Sequence, residues 1–274
     1  MLPRLFSLLS LLLICITKAA ASGCQTQCVS AGEWQIGLAT GYGELSNPLR
    51  GGSEQPVVLI GDIAWYGEQF YIDNLEAGYE FIQHDDLFSQ GFVTVNREAR
   101  YFDDWRFFDV QNSLSPLGSG NDSTNVKQLA DRQYAVHAGM RSTLLTGFGQ
   151  ISAMAQTDIS QTHSGQLASI RVQFLHNVYQ WQLNSALSLT WYSSEFNNYY
   201  YGISDRDAVS ESEHYSVGAG WRPGIELTAV RALNSNWGLL LLMRYEHLPA
   251  GVRHSPVVTD NSLTSVFGGL TYQF

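Results

Sequence analysis

Two places in this chain set a base beside a nucleophile: His163-Ser164 and His254-Ser255. Hydrolysis by such a pair needs the imidazole within hydrogen-bond reach of the hydroxyl, and a third group to orient it. Neighbouring side chains on a strand point to opposite faces, so adjacency works against partnership. No enzymatic role is expected of either. Asp85-Asp86 and Asp103-Asp104 offer paired carboxylates to a cation, but Asp is equally a favoured turn former, and Asn121-Asp122-Ser123 reads as loop chemistry for the same reason. Cys24 and Cys28 stand four apart. With no second pair and no nearby His they argue weakly for a metal. A small disulfide suits an oxidising compartment. Cys24 after Ser22-Gly23 also fits the end of a lipobox, although Ala21 stands where a Leu is wanted. Neither metal nor cofactor is expected.

The elements that would hold these groups begin after residue 21. Arg4, the apolar residues 5–16 and Ala19-Ala20-Ala21 make a signal peptide, with an apolar core too short to span a bilayer as a helix. Its removal takes away Arg4 and Lys18 and no acid. That leaves 13 bases against 25 acids, so the net charge moves from −10 to −12. An acidic chain of this kind argues against a nucleic-acid partner. The densest apolar run downstream, residues 237–243, falls far short of the roughly 20 residues of a spanning helix. An exported membrane protein without such helices must be a closed barrel, because lipid satisfies no open backbone group.

Alternation with a period of two supports the barrel. In residues 180–193, Trp181, Leu183, Leu187, Leu189 and Trp191 share one parity, and Gln180, Gln182, Asn184, Ser188 and Thr190 the other. Residues 236–247, 213–232, 132–145 and 163–176 alternate likewise, and Pro223 predicts a bulge or short break. Weaker segments lie at 33–43, 56–66, 69–84, 90–101, 105–111 and 147–158. The last strand, 263–274, ends with Leu270, Tyr272 and the terminal Phe274 on one face. The total is twelve, an even number as bacterial single-chain barrels use. The expected fold is therefore all-β: a closed antiparallel transmembrane barrel of about twelve strands at 33–274, after a periplasmic segment at 22–32. Both termini would be periplasmic. The inner turns would fall at Gly67-Glu68, Asp103-Asp104, Thr146-Gly147, 177–179 and 233–235, and the longer outer connections at 44–55, 112–131, 194–212 and 248–262.

Polar parity places Arg141, Arg171, Glu226, Arg244, Glu246 and His137 in the lumen, where opposed charges would either line an opening or cross-brace it shut. An Arg facing lipid at the midplane would cost about 2–4 kcal/mol. Arg231 and Arg97 break parity; only Arg231, near the inner rim, has a ready explanation, by reaching the headgroups. Trp34, Trp65, Tyr66, Tyr101, Trp105, Trp181, Trp191 and Trp237 fall near strand ends, as in an interfacial girdle.

Two segments carry a family resemblance. One is Asn197-Asn198-Tyr199-Tyr200-Tyr201-Gly202-Ile203-Ser204 with 205–208. The other is Ser255-Pro256-Val257-Val258 after Met243-Arg244-Tyr245-Glu246-His247-Leu248. With Tyr66-Gly67-Glu68-Gln69-Phe70-Tyr71, Gly78-Tyr79 and the Tyr-x-Phe ending, they resemble the MipA/OmpV family of Gram-negative outer-membrane proteins. Residues 102–131 show no match. The resemblance implies an outer-membrane location. It also implies barrel assembly read from Leu270, Tyr272 and Phe274 by the assembly machinery. For the name-giving member it implies a scaffold joining a lytic transglycosylase to a murein synthase. It offers no catalytic site. Tyr199, Tyr200, Tyr201, Gly202 and Ser204 are either a recognition patch or a cover over the barrel mouth. The functional expectation is a non-enzymatic scaffold or surface protein in contact with lipid and with periplasmic murein enzymes. The second reading is a narrow passive channel for small polar solutes.

Overall fold

The computed structural model describes residues 32–102, 129–207 and 214–274. Twelve antiparallel strands close into one barrel: β1 (Trp34–Leu45), β2 (Gln55–Tyr66), β3 (Phe70–Asp73), β4 (Glu76–His84), β5 (Leu87–Asn96), β6 (Ala135–Thr146), β7 (Gly149–Asp158), β8 (Gln166–Val178), β9 (Trp181–Tyr192), β10 (Gly220–Ala232), β11 (Trp237–His247) and β12 (Ser262–Gln273). Each pairs with its sequence neighbours, and β12 pairs with β1 from Gly37↔Gln273 to Leu45↔Ser265. Closure leaves no open sheet edge to lipid. The β1–β12 seam is tight, because a Cβ at Gly41 would sit 2.2 Å from the Gly268 carbonyl oxygen.

Alternation decides the two faces. Leu187, Leu189, Leu227, Leu241, Met243 and Leu270 are exposed on the outer wall, where lipid replaces water. At one end the turns span only two to four residues, at 67–69, 85–86, 147–148, 179–180 and 233–236. Short turns mark the periplasmic end of such barrels and long loops the outer end. Trp34 lies beside Trp65 (6.3 Å between centroids) and Trp237 edge-on to Tyr272 (4.9 Å), which builds part of the inner girdle.

The count of twelve comes from a different division of the chain than the periodicity predicts. Residues 69–84 are two strands, not one. Asn74 takes a left-handed φ of 53° and turns the chain, and its side chain bonds Asp62 and the Ile63 N–H. Asn is among the few residues that enter this region cheaply. The extra hairpin reverses the expected direction of the next strand. Asp85-Asp86 is therefore an inner turn, β5 runs outward and stops at Asn96, and residues 98–101 form a 3-10 turn at the outer end. Arg97 breaks parity because it lies beyond the strand end. Residues 105–111, Asp103-Asp104, Trp105, 121–123, Cys24, Cys28 and the segments 1–21 and 22–31 lie outside the described residues.

Pro223 causes no break. Its register runs unshifted through Trp221↔Trp191, Pro223↔Leu189 and Ile225↔Leu187, and pairing with β11 begins only at Gly224. The missing N–H thus falls where β10 has not yet met its second neighbour. That strand starts at Gly220 rather than 213, because Tyr215 and Val217 belong to the packed outer loops. Tyr66 and Tyr101 are not girdle residues. Tyr66 donates into the lumen to Asp73 (2.8 Å), and Tyr101 is buried at the outer end.

Candidate functional site

The outer loops fold into a plug of their own. Helix α1 (Ser194–Tyr201) starts at Ser193, whose hydroxyl accepts from the Phe196 N–H. Phe196 and Tyr200 are four apart, so they share a face, and their rings lie 4.9 Å apart. Phe196, Tyr200 and Tyr201 are wholly buried with Leu49, Val217, Leu248 and Val252, the last from the short helix α2 (Ala250–Arg253). Gly202 ends α1 under the Asn198 carbonyl, where a Cβ would come within 2.6 Å of that oxygen. The plug is laced by polar bonds as well. Ser255 Oγ donates to the Tyr201 carbonyl (2.6 Å), Tyr200 to the Gln133 carbonyl (3.1 Å) and Asn47 to the Tyr101 carbonyl (3.1 Å). Asp207 caps the turn after α1 through the Ser204 N–H and pairs with the fully buried Arg132 at 3.0 Å. Burial alone pushes the Asp207 carboxyl up. The Arg132 guanidinium and the backbone N–H groups outweigh it and hold the group below its usual range.

The tyrosine segment therefore covers the mouth. Tyr199 lies at the plug's edge, beneath Arg206 at 4.4 Å, while Tyr200 and Tyr201 offer nothing to a partner.

Beneath the plug lies a lumen in which four arginines meet carboxylates. Arg141 holds Glu76 with two bonds of 2.8 Å, and Arg171 reaches Glu226 at 2.9 Å. Arg244 binds Glu246. Arg222, almost fully buried on β10, takes Glu98 of the 3-10 turn at 2.8 and 3.3 Å, lies 3.7 Å from Glu246, and stacks 4.3 Å over Tyr192. Tyr201 donates to the same Glu98. Burial and then the Glu98 charge push the Tyr201 hydroxyl far up, so it stays a donor. The fold brings together all five charges read from parity, and adds Glu76, Glu98 and Arg222. Arg222 was legible, since it follows Trp221 on the polar parity. Glu98 was not, because its partner lies 124 residues away.

Neither His-Ser pair makes a dyad. His254 is exposed while Ser255 is buried on Tyr201. His163 accepts the Gly165 N–H at Nδ1 (2.8 Å), so its Nε2 carries the proton and donates to His137 Nε2 (3.0 Å), not to a hydroxyl. Asp158 fastens this loop through the His163 and Ser164 N–H groups (2.7 and 2.8 Å). Among the described residues, no group of three His, Cys, Asp or Glu side chains is placed to hold a metal.

Burial of His163 should make the loop acid-sensitive. Desolvation lowers its pKa from 6.5, against a smaller opposing pull from Asp158. Above 6.5 both the packed and the opened loop are neutral there. Below it the opened loop binds a proton that the packed one refuses, so stability falls until the lower, packed-state pKa is passed. Proteolysis of residues 159–165 should accelerate as pH drops below 6.5, and His163→Gln should flatten that dependence. An identical pH profile in that variant would reject His163 as the cause.

The family model described as MltA-interacting protein MipA matches residues 36–274. The chain belongs to the MipA family. Members similar to it include the putative outer membrane protein YiaT of Escherichia coli K12, 25% identical over 89% of this chain and 92% of that one. The MltA-interacting protein of the same organism is 24% identical over 97% and 99%. OmpV of Vibrio cholerae is 27% identical over 62% and 70%. Among solved structures, the NanC porin aligns with a TM-score of 0.40 at 9% identity, covering 88% of this chain and 100% of that chain. This MipA-family chain is an outer-membrane β-barrel protein.

Proposed function

We propose that the protein is a non-enzymatic barrel that presents its periplasmic rim to murein-remodelling enzymes. One observation carries the reading. The described outer loops interlock across the mouth, and the inner turns are too short to cross the other end. The accessible end of the lumen is then the periplasmic one. The name of the MltA-interacting relative, similar over nearly its whole length, supports a partner at that side. Exposed Tyr179 and Ser235 mark the inner turns. A photo-cross-linking residue at either position should capture a periplasmic lytic transglycosylase in intact cells. The same residue at the outer Asp260 should not. Equal capture from both ends, or from neither in a correctly inserted barrel, would overturn the reading.

A second reading, a gated passage for small polar solutes, draws on the polar lumen itself. It requires the plug to move, and wild-type barrels in planar bilayers would then show conductance steps altered by neutralising Arg141, Arg171 and Arg244.

A further inference from the structure

The lumen below the plug contains a cavity of about 840 Å³, within the range of roughly 300–1,000 Å³ typical of ligand sites. A second cavity of about 1180 Å³ meets it at Asp73, Glu76 and Arg97 and reaches the inner turns at Tyr179 and Asn234. The upper cavity is thus approached from the periplasm.

Its chemistry is specific in one respect. Four of the arginines that line it, Arg141, Arg171, Arg222 and Arg244, already face a carboxylate of this chain, and Arg100 donates to the Tyr101 hydroxyl. A charged ligand would have to break one of these pairs or sit beside it unpaired, and leaving a partly buried charge without its partner is costly. A neutral ligand meets no such barrier. Between the ion pairs, β7–β9 line the cavity with hydroxyls and amides, among them Gln150, Ser152, Gln156, Ser169, Ser188 and Thr190. The Gln156 side-chain Oε1 is buried there with no partner among the described residues, an acceptor for a ligand O–H or N–H. On the facing wall Tyr66 and Tyr71 stack at 6.0 Å and 16°, and both line the cavity. Such faces suit the C–H side of a sugar ring, while amide and hydroxyl groups suit its rim.

We propose that this cavity binds a neutral, hydroxyl-rich ligand, a short oligosaccharide, admitted from the periplasmic end. The site is distinct from docking at the inner rim, and loss of cross-linking there would leave it standing.

The test uses the full barrel in detergent micelles, shown folded by its heat-modifiable migration, and titration calorimetry. The probes are N,N′-diacetylchitobiose, cellobiose, glutamate and spermidine. At least one of the two neutral disaccharides should bind, and more tightly than either ion. Gln150→Leu with Gln156→Leu should weaken it by about tenfold or more, as expected for two lost hydrogen bonds. Arg171→Gln leaves Glu226 unpaired and should raise affinity for spermidine over wild type. Three results would each overturn the proposal: no saccharide binding by the folded barrel, tighter binding of an ionic probe by wild type, or unchanged saccharide affinity in the glutamine double variant.

Discussion

Replacing Arg222 by Met should unlatch the plug. Arg222 belongs to the barrel wall and Glu98 to an outer loop, so their bidentate pair is a bond between lid and vessel. Without the guanidinium, Glu98 is left beside Tyr201 and Glu246 with no cationic partner. Breaking a buried pair from one side costs about 3–5 kcal/mol. The barrel wall has no way to relieve that cost, since its strands are fixed by ladders on both sides. The 3-10 turn can relieve it by carrying Glu98 out to water. In planar bilayers the wild type should be closed for most of the recording and the variant open for most of it. Outer-loop proteolysis should accelerate while the heat-modifiable migration of the barrel stays unchanged. The double variant Glu98→Gln with Arg222→Met removes both charges and should return most of the closed time, because a neutral replacement of a buried pair is often tolerated. A single Arg222→Met variant as silent and as protease-resistant as wild type would remove the latch from the explanation.

The division between what the chain announces and what it conceals follows from this architecture. Lipid on one side and a polar lumen on the other force a period of two, so Leu187, Leu189 and Leu241 could be assigned outward and Arg141, Arg171 and Arg244 inward from parity alone. The β3–β4 hairpin was hidden because its turn has no Gly or Pro. Asn74 turns the chain by a left-handed φ, and the outward parity slips there from Phe70 and Ile72 to Tyr79 and Phe81 with no breaker residue to mark it. The plug was only half legible. The tyrosine run stood out, but its direction depends on helix α1, too short to show a clear helical period. Which charges meet depends on strand tilt around the ring, a quantity that no local pattern encodes. Arg141 with Glu76 and Arg222 with Glu98 are therefore visible only in three dimensions.

Phe274 should matter for assembly and hardly at all for the assembled barrel. Its ring is largely exposed and lies edge-on to the Tyr272 ring at 4.9 Å. Its main-chain N–H donates to the Ile36 carbonyl at 3.0 Å, a bond that any residue would make. Truncating an exposed side chain of this sort usually shifts stability by about 0.5 kcal/mol or less. We propose that the terminal ring, with Leu270 and Tyr272 on the same face, is instead read by the assembly machinery before the β1–β12 seam closes. Phe274→Ala should then lower the yield of heat-modifiable barrel in cells several-fold. The same variant refolded from urea into detergent should match wild type in yield and in denaturation midpoint. Normal insertion in cells would dismiss a recognition role for Phe274. Poor refolding in detergent would reassign the residue to closing the barrel, because no assembly machinery is present there to misread it.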